Sequence, residues 1–106
     1  MPPYNKNINN KNKDMKTLTY NLDSERISVA LTINVNQLPS GIYEISGIVT
    51  CGTISEKINK YEWNKEEAGI LTTMAIAYNR LTDRNYNENA EMLRKILVNY
   101  GKENGF

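Results

Sequence analysis

The chain has 106 residues, of which 40% are apolar, enough for one small core with little room for a second. Its 13 basic and 12 acidic residues nearly cancel, which argues against a broad nucleic-acid-binding face. With no histidine and a single cysteine, Cys51, the sequence excludes an internal disulfide, a Cys/His zinc site and any Ser-His-Asp or Cys-His arrangement.

Residues 1–15 are rich in Asn and Lys and poor in aliphatic side chains, so they read as a disordered basic leader. Residues 1–16 carry a net charge of +3 and the remainder −2. A single α+β domain is expected over 16–106. No apolar run is long enough to cross a bilayer and the first residues lack a secretory apolar stretch, so a reducing cytoplasm is the expected location.

Residues 16–22 alternate, with Leu18, Tyr20 and Leu22 on one side and Thr17, Thr19 and Asn21 on the other, the pattern of a half-buried strand. Asp23-Ser24 is a two-residue turn. Over 25–36, Ile27, Val29, Leu31, Ile33 and Val35 share one face, and the β-branched content favours strand over helix. Gln37-Leu38-Pro39-Ser40-Gly41 is a turn. Residues 42–50 and 53–61 give two more strands joined at Cys51-Gly52.

Short turns set a register. Leu22 faces Glu25, Val35 faces Tyr43, and Val49 faces Ile54, with Glu56 opposite Gly47. All three hairpins then direct their apolar residues to one face, while Thr, Ser, Ala30, Ile48 and Tyr61 lie on the other.

Asn64 opens a helix as its cap, with Glu67 at the capping-box position. Two apolar rows follow, Ala68, Leu71, Ala75 and Tyr78 beside Ile70, Met74, Ala77 and Leu81, and the helix ends near Thr82-Asp83. A second helix starts at Asn85 or Asn87, carries Ala90, Leu93, Ile96 and Leu97, and stops at Gly101. The predicted fold is therefore a four-stranded antiparallel meander followed by two helices on one sheet face, ββββαα.

The six glycines form no phosphate-cradling motif, and no EF-hand pattern occurs. Cys51 has no activating cation nearer in sequence than Lys57, and reads as a small apolar residue at the sheet margin, opposite Ile27. Glu56 falls on the apolar face, where an inward carboxylate can act as an acid, bind a cation or guard a sheet edge. Arg80 and Arg84, with Tyr86 and Asn79, converge around the joint between the helices, a polar corner able to hold an anion or an acidic partner surface.

These features favour a non-enzymatic binding or inhibitor protein that occupies a partner surface or sequesters a ligand. Small size and an Asn/Lys/Ile-rich composition fit a phage or mobile-element product, with inhibition of a host defence as one specific form. A protein partner is the first expectation. A small ligand, self-association and nucleic acid bound weakly through the leader and the Arg80/Arg84/Tyr86 corner are the alternatives, and a carboxylate enzyme built on Glu56 stands last. No cofactor, metal or membrane partner is expected.

Overall fold

Val29, Leu31, Ile33 and Val35 are buried while Ala30, Thr32 and Asn34 between them are not, so the period of two written in the sequence decides which face of the sheet is covered. The computed structural model describes residues 15–106; apart from Met15, the expected leader lies outside the described residues. The elements are β1 (Met15–Asp23), β2 (Ser28–Gln37), β3 (Tyr43–Cys51), β4 (Ile54–Trp63), α1 (Glu66–Asp83) and α2 (Asn87–Glu103). The strands form one antiparallel sheet in the order β1-β2-β3-β4, and the helices pack against it, the predicted ββββαα arrangement.

Each hairpin keeps the predicted face but not the predicted register. Leu22 faces Val29 rather than Glu25, a slip of four residues, because the turn spans Ser24–Ile27. The Ser24 N–H donates to Ile27 O at 2.8 Å and closes that longer turn. Val35 faces Ile45 and Val49 faces Glu56, each a slip of two. Even slips preserve the face, so the core is unaffected. Beyond Gly47↔Ile58 the next core-side pair is Ile45↔Tyr61, which leaves one extra residue in β4. This bulge moves Tyr61 to the side of Ile45, away from the open face where simple alternation puts it.

The core comprises Val29, Leu31, Ile33, Val35, Ile45, Val49, Cys51 and Ile58 from the sheet, with Ile70, Met74, Ala77, Leu81, Ala90 and Leu93 from the helices. Each fully buried aliphatic side chain contributes about 1.5–3 kcal/mol relative to exposure. Two glycines let α1 lie close to the sheet. A methyl group on Gly69 would stand 2.5 Å from Ile45 Cδ1 and 2.6 Å from Trp63 Cγ, so the bare backbone is what receives the indole. On the strand side, a methyl at Gly47 would stand 3.2 Å from Thr73 Cγ2.

The helix ends differ from expectation in two places. The N-cap of α1 is Lys65, not Asn64, and no side chain caps it. Glu66 is instead held by Lys16 of β1, which leaves both Glu66 and Glu67 at the positive end of the helix dipole. Gly101 does not stop α2; it is buried within the helix near Leu71 and Phe106. The stop is Gly105, whose φ of 82° lets Phe106 N–H return to Gly101 O at 2.7 Å.

Candidate functional site at the turn end

Three connections meet at one end of the sheet: the Ser24–Ile27 turn, the Gly52–Thr53 turn and the joint between α1 and α2. The joint is fixed by its own backbone. Asn85 takes φ 65°, its N–H donates to Thr82 O at 3.0 Å, and the Tyr86 N–H donates to Leu81 O at 2.9 Å. That is the two-bond C-terminal motif in which Asn substitutes for glycine in the left-handed position. It delivers Tyr86 onto the edge of the core.

Between the three connections lies a cleft of about 310 Å³. Cys51 and Ile54 provide apolar lining, Tyr86 an aromatic one, and Arg26, Ser28 and Asn89 polar groups. Asn89 Nδ2 donates to Ser28 O at 3.0 Å, and Arg26 Nη2 meets Glu88 Oε2 at 2.9 Å, so α2 is tied to the first hairpin on both sides of the cleft. The Arg26–Glu88 pair is largely exposed, at 78% and 61%, and so is exchangeable for another partner at little cost. Cys51 pairs with Ile54 across the β3–β4 hairpin and is buried; burial pushes its thiol pKa up, which disfavours the nucleophilic thiolate.

The predicted site residues divide. Glu56 does face inward, opposite Val49, but it is not alone: Arg84 Nε is paired with its carboxylate and Arg80 Nη1 lies 3.6 Å away. The predicted basic corner and the predicted inward carboxylate are thus one ion-paired unit beside the cleft. The Glu56 side chain is 14% exposed, against 41% and 49% for the two arginine side chains. Tyr86 lines the cleft itself. Asn79 is exposed on α1 one turn earlier and is not among the cleft-lining residues. Sequence reading did not single out Arg26 as a cleft residue, because an arginine in a turn carries no spacing signal.

Arg94 is paired with Glu91 at 3.3 Å, so all four arginines hold carboxylates. Among the described residues no group of three or more His, Cys, Asp or Glu is placed to hold a metal, and no helix is long and apolar enough to cross a membrane. Comparison with protein-family models, curated proteins and solved structures found no match to this chain.

Proposed function

We propose that the protein acts by contact, as a small binding or inhibitor protein whose contact surface is the turn end. The observation that carries this reading is the convergence of three rigidly closed turns on one cleft that combines Arg26, Tyr86 and Asn89 with the apolar Cys51 and Ile54. Loops held by a packed scaffold are frequent binding sites, and Arg and Tyr are frequent anchors. A protein segment with an acidic side chain beside an apolar one is the partner chemistry this lining suits: Arg26 exchanges Glu88 for the acid, and the apolar group reaches Ile54 and Tyr86. Inhibition of a host defence protein is one form such contact takes. The nucleic-acid alternative ranks lower because Arg80 and Arg84, on which its corner relies, are already paired with the mostly covered Glu56.

Arg26→Glu tests the reading. Its side chain is exposed, so the thermal melt should stay within about 3 °C of the parent. Affinity for the partner that co-purifies from the native host should fall at least roughly tenfold. Thr32→Arg, in the middle of the open sheet face, should leave affinity unchanged. The reverse outcome, sensitivity at Thr32 and none at Arg26, would place contact on the open sheet and reject the turn end.

A further inference from the structure

Among the described residues nothing pairs with the outer side of β1 or of β4, and these two edges of the sheet are finished differently. β4 carries Glu56, Lys57, Lys60 and Glu62 and a one-residue bulge, features that keep an edge from accepting another strand. β1 has nine residues, with Lys16 and Asp23 near its ends as its charges, no proline and an unbroken register against β2. Lys16 is already engaged by Glu66. Leu18, Tyr20 and Leu22 are half-buried at the margin of the core, where Leu31 and Ile33 beside them on β2 are fully covered. Next to them, Tyr20, Ile96, Asn99, Tyr100 and Glu103 enclose a groove of about 200 Å³.

We propose that β1 pairs antiparallel with β1 of a second copy of this chain about a two-fold axis at Thr19, joining the two four-stranded sheets into one. The strand is self-complementary in that register. Thr19 meets its own copy, Leu18 meets Tyr20, Thr17 meets Asn21, Lys16 meets Leu22 and Met15 meets Asp23. No like charges face each other, and the Leu18–Tyr20 pair forms twice, beside the two grooves. Every residue meets one of its own face, so the helices of both copies lie on the same side. Whichever alternate residues of β1 point their main chain outward, the same alternate set meets them, which closes about eight to ten hydrogen bonds. A second copy is the occupant that this symmetry selects, since a foreign strand has no reason to match it from end to end. The antiparallel pairing sets the two turn-end clefts at opposite ends of the joined sheet and leaves both open.

Sedimentation equilibrium on the full chain, from about 1 μM to about 1 mM, reads the association directly. A monomer–dimer equilibrium is expected. Thr19→Lys adds an exposed charge that leaves the monomer's melt unchanged but sets two ammonium groups face to face, so dimerisation should weaken at least roughly tenfold. Mixing Thr19→Lys with Thr19→Glu should restore it as a heterodimer. Asn59→Lys, on the other edge, should change nothing. Should Thr19→Lys disturb the fold, Thr19→Glu alone carries the same test, because it sets two carboxylates face to face on the two-fold axis. A monomer at every concentration overturns the proposal, as does a dimer insensitive to Thr19→Lys or sensitive to Asn59→Lys.

Discussion

β1 and β4 occupy equivalent places at the two margins of one sheet, yet they are held in place by different means. β4 is closed from above: α1 crosses it and β3, Gly69 receives Trp63, Ile58 is fully buried, and Arg80 and Arg84 reach down to Glu56. β1 is held chiefly by its ladder with β2, with light packing from α2 and the ion pair from Lys16 to Glu66. The lesson is that the order of helices after a meander fixes which edge is sealed. The helix that follows β4 directly packs back over β4 and β3, and the second helix lies farther toward β1 without covering it fully.

Equal truncations at the two edges should therefore cost unequal amounts. Ile58→Ala empties a fully buried site and should destabilise by about 2–5 kcal/mol in chemical denaturation, as should Leu31→Ala at the sheet centre. A cost at Ile58 below about 1 kcal/mol would mean that β4 is not sealed. Gly69→Ala forces a methyl into Ile45 and Trp63 and should cost about 1–3 kcal/mol, with a change in tryptophan fluorescence because the indole must move. At the other margin, Leu18→Ala should cost only roughly 1 kcal/mol, since part of the side chain is already in water. The ion pairs should show the same order on a smaller scale. Arg84→Met leaves the mostly covered Glu56 with a weaker partner and should cost roughly 1 kcal/mol, whereas Lys16→Met, with Lys16 54% exposed, should cost less than about 0.5 kcal/mol. An equal cost at both would erase the distinction between the edges.

The fold was legible because period-two alternation assigns faces without needing the register. Slips of four and two residues leave Leu31, Ile33 and Val49 on the covered side, so the wrong pairing of Leu22 with Glu25 did no harm to the core. Turn length was not legible, because Ser24–Ile27 closes through a hydrogen bond between its ends and not through a Gly or Pro signal. The bulge that turns Tyr61 was hidden for the same reason, lying in the polar run Asn59-Lys60. Gly69 carried no helix-breaking message that sequence alone could convert into a seat for Trp63. For the candidate site, the corner at Arg80, Arg84 and Tyr86 and the inward Glu56 were each visible. Their union was not, since it depends on how far α1 crosses β4. Arg26 joined the site only once the first turn was seen beside the start of α2.

Amide hydrogen exchange followed residue by residue at increasing protein concentration tests the difference between the edges most directly. In an isolated protomer, the outward-facing amides of both edge strands exchange quickly, because water is their partner. The account predicts that protection along Thr17–Asn21 rises with concentration, while the outward amides of Ile54–Trp63 stay fast throughout. Protection that rises along β4, or that stays flat along β1 up to about 1 mM, would contradict it.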